Sequence, residues 1–184
     1  MEGVARVPSE YAAPIAELLP KSRLRMEIVP YENHFREKVL SLVIEAWEPV
    51  FSKTRDDVPG FVYDNFWPNG WQLRQYAEVG ALLDAKPEEF WLAVENDVLL
   101  GFVGVSIHKD DLMGEIVIIA VDPRFQRRGV GRSLMDFAET HIKDHGMKMV
   151  MVETVGDSGH EPARKAYESR GYVTWPVARY FKEL

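Results

Sequence analysis

The sequence predicts a mixed α/β fold, in which a central sheet of about six to seven strands carries helices on both faces. Helical and strand-like apolar periods alternate along the 184 residues, a length that suits one domain. The early strand-like runs follow one another through a short turn, whereas the later ones are separated by helical segments. Short turns join antiparallel strands and helical crossovers join parallel strands, so the sheet should contain both kinds of pairing.

The N-terminal half of the chain is predicted to be mainly helical. We expect residues 1–25 to be a partly mobile extension and residues 26–184 to form a single domain. Apolar steps of three and four residues, and prolines and glycines between them, predict the elements in order. These are a short helix over 11–19, a strand over 26–31, a helix over 32–51, mostly loop over 52–70 and a helix over 71–85.

The C-terminal half is predicted to alternate strands and helices. Two apolar runs joined by Asn96-Asp97 indicate a hairpin, and the run 115–123 is apolar on both faces, as in a central strand. Gly146 and Gly171 end two helical patterns. The predicted elements are strands over 90–96, 98–108 and 115–123, a helix over 131–146, a strand over 147–155, a helix over 161–171 and short strands over 172–175 and 178–184.

The composition excludes several classes of function. The net charge is −7, so we expect neither a nucleic-acid nor a membrane partner. The chain has no cysteine, which excludes disulfides and thiolate chemistry, and we predict no metal site. No apolar run approaches the roughly 18 residues that cross a membrane. The first 25 residues carry glutamates and prolines and are unlike a signal peptide, so we expect a cytoplasmic protein.

The most informative segment is AVDPRFQRRGVGRSL, residues 120–134. A predicted strand runs into a turn that holds four arginines and two glycines, and a helix begins at once. Glycines let a backbone approach a ligand, N–H groups at a helix start attract anions, and arginine binds phosphate oxygens through a fork. The segment therefore predicts an anion site that would suit a pyrophosphate.

Two common phosphate-binding motifs fit this segment poorly. A P-loop needs G-x-x-x-x-G-K-[ST], and both the spacing and the lysine are missing. A dinucleotide fold needs G-x-G-x-x-G, and Gly129 and Gly131 fit, but Leu134 takes the third position. Glu153 could serve as the ribose-binding acid of that motif, although the Gln-Arg-Arg before the glycines is foreign to it.

A third motif fits better, because QRRGVG resembles the Q/R-x-x-G-x-G/A signature of GNAT acyltransferases. A second segment, HEPARKAYESRGY, is similar to the family's N-x-x-A-x-x-x-Y-E-x-x-G-F, with His160 in place of asparagine and Tyr172 in place of phenylalanine. The matches span about residues 90–175. The resemblance implies a GNAT-type fold that binds acetyl-coenzyme A as cosubstrate. It implies coenzyme contacts from Ile119, Ala120, Val121, Gln126, Arg127, Arg128, Gly129, Val130, Gly131, Arg132, Ser133, His160 and Ala163.

The implied reaction is acetyl transfer to the primary amine of a small molecule or peptide. The amine must lose a proton, and Glu115 is the best candidate base; alternation would place Glu115, Val117, Ile119 and Val121 on one face. Histone-type GNAT enzymes carry a catalytic glutamate at this offset from the same motif, and Tyr167 would protonate the departing thiolate. Glu153, Asp157 and His160 stay open as alternative bases.

The acceptor and the assembly are less well defined by the sequence. Aromatic residues and acids such as Asp56, Asp57 and Asp64 in the N-terminal helical region would suit a cationic amine. The sequence leaves the oligomeric state open, although a homodimer is common in the resembled family. The alternative function is a non-catalytic module of the same fold that senses acyl-coenzyme A.

Overall fold

The computed structural model describes residues 25–184, and the expected N-terminal extension with its helix over 11–19 lies outside them but for Arg25. Five strands and five helices follow in chain order, with short 3-10 turns between some of them. The strands are β1 (Glu27–Pro30), β2 (Phe90–Glu95), β3 (Val98–His108), β4 (Met113–Val121) and β5 (Met149–Val152). The helices are α1 (Arg36–Asp57), α2 (Gly60–Phe66), α3 (Trp71–Ala85), α4 (Val130–Asp144) and α5 (Glu161–Ser169).

The five strands form one mixed sheet in the order β1-β2-β3-β4-β5. β1 to β4 are antiparallel neighbours, and β5 joins β4 in parallel after the crossover through α4. The β2–β3 turn at Asn96 and Asp97 has positive φ at both residues, as a type I′ hairpin requires. The predicted fold class is confirmed, although the sheet has fewer than the six to seven strands expected.

Two apolar cores cover the two faces of the sheet. On one face, α1 and α3 pack on side chains such as Leu92, Phe102 and Ile118. On the other face, α4 packs on side chains such as Val103 and Ile116. The strongly amphipathic sequence of α4 explains its place, since its buried residues recur at helical spacing. None of the helices within residues 25–184 is long and apolar enough to cross a membrane.

The segment 52–70, predicted as mostly loop, is largely helical. α1 continues to Asp57 although Pro49 lies inside it, because Phe51 and Thr54 are buried and extend its apolar stripe. The helix ends before Pro59, whose ring disfavours helical backbone at the preceding residue. α2 then begins at Gly60, so tertiary burial outweighs the local proline and glycine signals here.

The two C-terminal strands predicted over 172–175 and 178–184 are wrong. Residues 172–184 form no strand, and Val173 and Trp175 are almost fully exposed. Pro176 has no N–H for a ladder and divides the segment into two short runs, which weakens strand pairing. Phe181 still packs on Phe66 of α2, with 5.8 Å between ring centroids.

A bulge in β4 changes which residues share a face. Gly104 pairs with Ile118 and Val105 with Ile116, so Val117 is an extra residue on β4. Glu115 and Val117 therefore lie toward α1, whereas Ile119 and Val121 pack in the α4 core. The prediction that these four residues share one face is wrong, because strict alternation assumes an unbroken ladder.

Candidate active site

An opening in the sheet lies between the second half of β4 and the chain that follows β5. The β4–β5 ladder ends at the pair Ile116 and Val152. Beyond it, the β4 edge from Val117 to Val121 has no strand partner within the described residues. Free N–H and C=O groups at such an edge can pair with an extended ligand as with another strand. The edge includes Ile119, Ala120 and Val121.

The β4 edge leads directly into the start of α4. Arg127 and Gly129 have positive φ, +57° and +91°, and Gly129 is the residue before the helix. No side chain caps α4, and its first intrahelical bond runs from Ser133 N to Gly129 O at 3.0 Å. The N–H groups of the first turn, which includes Val130 and Gly131, are thus left for a ligand.

Space at this turn is open for a ligand. A Cβ added at Gly129 would meet no atom within 4 Å, and one at Gly131 would meet only Val121 Cγ2 at 3.5 Å. The Gln126 side-chain amide donates to Val121 O at 3.2 Å and ties the turn to the end of β4. These residues fit a pyrophosphate group at a helix start.

The four arginines of the turn divide into one that is engaged and three that are exposed. Asp122 is buried, accepts a hydrogen bond from Arg124 N and forms an ion pair with its guanidinium at 2.5 Å. The hydrogen bonds of Asp122 raise the pKa of Arg124. Arg127, Arg128 and Arg132 have no ion pair within residues 25–184 and remain available to phosphate oxygens.

Glu115 lies near the start of β4 on the face that α1 covers. Its Oε2 lies 2.9 Å from His108 Nε2, at the end of β3, and its side chain is half-buried. Ser106, directly opposite Glu115 in the ladder, donates to Glu89. The structure thus gives Glu115 a fixed imidazole partner, which the sequence analysis did not find.

α5 is fixed to α4 and carries Tyr167 into the α4 core. Arg170 binds Glu139 and Asp136 of α4, and the Tyr172 hydroxyl donates to Glu139 at 3.1 Å. Tyr167 packs beside Tyr172, and burial raises the pKa of Tyr167. Its phenol therefore stays protonated at neutral pH.

The loop 153–160 that follows β5 contains the other candidate bases. Glu153 is exposed, with its carboxylate 3.9 Å from Arg179. Asp157 is buried and lies 2.7 Å from His160 Nδ1, and it also accepts a hydrogen bond from Thr54 of α1 at 3.0 Å. The loop thus brings Asp157 and His160 together and separates them from Glu153. Ala163, another predicted contact, lies half-buried in the first turn of α5.

A cleft of about 420 Å³ lies between α1, α2 and the start of α3. The rings of Phe51 and Trp71 stack with 4.3 Å between their centroids and are buried, so they form the packed wall of the cleft rather than an exposed surface. Two carboxylates and two half-buried rings complete much of the lining: Glu48, Asp64, Tyr63 and Trp67. Within residues 25–184, no group of three or more potential ligands could hold a metal ion.

Sequence reasoning missed two residues that the structure joins to the site. His108 contacts Glu115 across the β3–β4 hairpin, and Thr54 contacts Asp157 across 103 residues. The alternation of β3 could have suggested His108, which lies two residues after Ser106 on the same face. Nothing local to Thr54 signals its contact, because its partner lies on a distant loop.

An open strand edge that leads to an uncapped helix start is an arrangement in an α/β protein that suits a phosphorylated ligand. A family model described as the Acetyltransferase (GNAT) family matches residues 55–172, more than half of the chain. The chain belongs to this family, and the family predicted from the two motifs is confirmed.

The curated relatives include the mycothiol acetyltransferases of two species. The protein of Thermomonospora curvata is 34% identical over 91 residues, which cover 50% of this chain and 30% of that protein. The protein of Saccharopolyspora erythraea is 33% identical over 131 residues, which cover 67% of this chain and 42% of that protein. This chain therefore spans less than half the length of these relatives.

Solved structures of low sequence identity share the fold. The PaiA N-acetyltransferase from Thermoplasma acidophilum, in complex with coenzyme A, has a TM-score of 0.65 at 16% identity and covers 84% of this chain and 94% of that chain. The aminoglycoside N-acetyltransferase AAC(6')-Iy, in complex with coenzyme A, has a TM-score of 0.58 at 17% identity, and the match covers 86% of this chain and 95% of that chain.

Proposed function

We propose that this protein transfers the acetyl group of acetyl-coenzyme A to a primary amine of a small molecule. The observation that carries this proposal is the free β4 edge, which runs directly into an uncapped helix start beside three exposed arginines. Coenzyme A has a long amide-containing arm and a pyrophosphate. The edge offers strand-like hydrogen bonds to the arm, and the helix start offers N–H groups to the phosphates.

Coenzyme contacts would come from β4, from the turn and from α5. The backbone of Ile119 and Val121 would pair with the arm, whereas the backbone of Ala120 between them faces Phe102 of β3. A backbone N–H at this edge would polarise the thioester carbonyl. The turn from Gln126 to Ser133 would hold the pyrophosphate, with guanidinium contacts from Arg127, Arg128 and Arg132. His160 and Ala163 would line the opening at the start of α5.

Glu115 would act as the general base. An alkyl amine has a pKa of about 10.4 and arrives protonated, so a base must remove one proton before nitrogen can attack. Glu115 lies on the face that α1 covers, and His108 fixes its carboxylate at 2.9 Å. The nitrogen attack then proceeds directly on the thioester carbonyl.

Tyr167 would act as the general acid. The sulfur leaves as a thiolate, and a phenol that is still protonated at neutral pH can donate to it. Burial, which raises the pKa of Tyr167, keeps that proton in place before transfer. The neighbouring Tyr172 serves another purpose, because its hydroxyl is bonded to Glu139.

The acceptor is proposed to be an amine-bearing small molecule, in line with the names of the mycothiol and aminoglycoside acetyltransferases. The cleft between α1 and α2 supports a cationic ligand, since two carboxylates, Glu48 and Asp64, outnumber its one cation, Arg55, which lies over the Tyr63 ring at 5.5 Å. Carboxylates and aromatic faces both attract ammonium groups. The homodimer stays a prediction.

Calorimetry with acetyl-coenzyme A, together with thiol release over an amine panel, tests the proposal. The panel contains polyamines, aminoglycosides, amino acids and lysine peptides. We expect micromolar binding and release with one amine class. Binding without release from any amine would favour the acyl-coenzyme A sensor instead, and absence of binding would refute the anion site.

Variants with matched controls test the two catalytic roles. Glu115→Gln should lower kcat about 100-fold or more, the usual range for a general base, while Glu153→Gln should not. Tyr167→Phe should lower kcat with little change in the Kd of acetyl-coenzyme A, while Tyr172→Phe should retain turnover. If Glu115→Gln and its control turn over equally fast at every pH, Glu115 is not the base. The same result for Tyr167→Phe and its control would mean that Tyr167 is not the acid.

A further inference from the structure

The carboxylate of Asp157 is held at both oxygens inside the loop 153–160. Its Oδ1 accepts from the His160 backbone N–H at 2.9 Å and lies 2.7 Å from His160 Nδ1. Its Oδ2 accepts from Thr54 Oγ1 at 3.0 Å, and only 5% of the Asp157 side chain is exposed. Burial opposes its ionisation, but hydrogen bonds from His160 and Thr54 outweigh burial and lower the pKa of Asp157.

An ionised Asp157 determines which nitrogen of His160 is protonated. A carboxylate can only accept hydrogen bonds, so Nδ1 carries the proton of the neutral imidazole. Nε2 then carries the lone pair, and among residues 25–184 it has no hydrogen-bond partner. The His160 side chain is 30% exposed, so a ligand can reach this nitrogen. A buried carboxylate that orients an imidazole in this way is the arrangement that prepares histidine as a base.

The loop places this pair at the opening in the sheet. The loop starts where the β4–β5 ladder ends, and His160 immediately precedes α5, seven residues before Tyr167. It packs against α1, where Ser158 N donates to Asp57 at 2.6 Å. α1 covers the sheet face on which Glu115 lies. The loop that carries His160 and the Glu115 carboxylate thus both lie on the α1 side of the sheet.

The charged groups on the elements next to His160 belong to two helices as well as to its own loop. α1 contributes Lys53 and Asp57, and α5 contributes Glu161, Arg164 and Lys165. Arg164 is occupied by the carbonyl oxygens of Val155 and Asp157, at 2.6 and 2.7 Å, and Lys165 pairs with Glu161. Asp157 is therefore the acid that directly contacts the imidazole.

We propose that His160 is a further catalytic residue, whose Nε2 takes the second proton from the acceptor nitrogen, with Asp157 and Thr54 as positioning residues. This inference rests on the proposed acetyl transfer. It assigns a function to the position where the family motif has asparagine, a side chain that cannot accept a proton at neutral pH.

The protons balance with three groups. Glu115 takes one proton from the ammonium before attack, and the C–N bond then forms. His160 takes the second proton from the nitrogen, which is positively charged after attack. The C–S bond breaks, and the sulfur takes a proton from Tyr167. The proton on His160 returns to Tyr167 through solvent and Glu115 releases its own, so one proton is released for each acetyl group transferred.

The pH dependence of kcat tests the proposal, with the amine of the panel that gives the fastest thiol release and with saturating acetyl-coenzyme A. His160→Asn should lower kcat about 100-fold and change the acid limb of the pH profile relative to the wild type. KM for acetyl-coenzyme A should be unchanged, because asparagine is the residue that the family motif has at this position. The exposed His34→Asn serves as the matched control. Unchanged kcat and profile, or a rise in KM that accounts for the loss, would overturn the role as a base.

The positioning residues have their own readout. Asp157→Asn should lower kcat at least tenfold and change the acid limb. Thr54→Ser keeps the hydroxyl and should retain the wild-type profile, whereas Thr54→Val should not. If Thr54→Val and Thr54→Ser give the same pH profile, Thr54 does not position the pair.

Chemical modification gives a readout that needs no acceptor. Diethylpyrocarbonate modifies neutral imidazoles, and peptide mass spectrometry then reports His160 and His34 separately. Acetyl-coenzyme A should protect His160 and leave His34 unprotected. If His160 is modified equally with and without acetyl-coenzyme A at a concentration that calorimetry shows to be saturating, it does not face the opening and the proposal fails. Absence of thiol release from the wild type, in contrast, counts against the proposed function, and the protection result still decides the position of His160.

Discussion

Two loops leave the sheet at the same opening, and different kinds of contact hold them. The loop after β4, residues 122–129, is held by its own neighbours in the chain. Asp122 binds Arg124 two residues on, and Gln126 reaches the carbonyl of Val121 five residues back. Such contacts form as soon as the local backbone folds.

The loop after β5, residues 153–160, is held by a distant helix. Asp157 binds Thr54 across 103 residues, and Ser158 binds Asp57 across 101. A Cβ at Gly159 would lie 2.6 Å from Val50 O, so this loop also packs closely on the α1 backbone. One wall of the proposed coenzyme site is therefore locally determined, and the other depends on where α1 lies. Changes in α1 should affect mainly the second wall.

The largest expected effect is on the second loop. Thr54→Val removes the hydroxyl that donates a hydrogen bond to Asp157, and it opens no cavity because valine has nearly the same shape as threonine. A hydrogen bond to a charged group contributes about 1.5–3 kcal/mol, and the free energy of unfolding should fall by that amount. Ser52→Ala removes an exposed hydroxyl of the same helix and should change it by less than about 0.5 kcal/mol. Urea denaturation measures both, and equal values would show that Thr54 is not an anchor.

Acid should weaken the contacts that hold the loop 153–160, because the pKa values of two carboxylates in these contacts are lowered in the folded protein. Hydrogen bonds from Ser158 lower the pKa of Asp57, and the pKa of Asp157 is lowered as well. A depressed folded pKa stabilises the fold fully above the unfolded pKa of about 3.9, and the contribution is lost as pH falls through the folded values. Thermal unfolding between pH 7 and pH 3 should therefore show a smaller acid-induced loss in Asp157→Asn than in the wild type. An identical loss would mean that Asp157 does not contribute.

The first loop should respond in coenzyme affinity rather than in stability. Arg128 is exposed and has no ion pair within the described residues, so Arg128→Glu would remove the proposed phosphate contact and add repulsion. We expect the Kd of acetyl-coenzyme A to rise tenfold or more, about 1.4 kcal/mol. Lys143→Glu makes the same charge change at the other end of α4 and serves as the control in calorimetry. Equal Kd values for the two variants would exclude Arg128 from the site.

The two loops also differ in how far the sequence predicts them. The turn after β4 was predicted with its glycines, its arginines and the helix that follows, because spacing within a dozen residues determines it. The separate role of Arg124 required the structure, since nothing in the sequence distinguishes it from the three exposed arginines. Asp157 and His160 were named as candidate bases, but their pairing with Thr54 depends on a contact between distant segments.

In the sheet, too, the sequence predicted local features and missed those that depend on distant segments. Hairpins and buried strands were predicted because their periods are local, whereas the bulge at Val117 was missed because a bulge is defined by two strands together. The predicted C-terminal strands had apolar residues and even spacing, but pairing with the β5 edge is a tertiary event. Pro176 was the local signal against it.

The smallest expected effect is on stability, when one glycine in the backbone of each loop is replaced by alanine. Gly129 in the first loop and Gly156 in the second have no heavy atom within 4 Å of an added Cβ, so neither substitution causes a clash. Gly129 has φ +91°, in the region where a side chain is strained, and Gly156 is not among the positive-φ glycines. Gly129→Ala should therefore cost about 1 kcal/mol, or about 2–4 °C in Tm, while Gly156→Ala should be neutral or slightly stabilising. Differential scanning calorimetry of both variants checks this difference. Equal Tm values would mean that the turn relaxes into an ordinary conformation, in which case Gly129→Ala should raise the Kd for acetyl-coenzyme A.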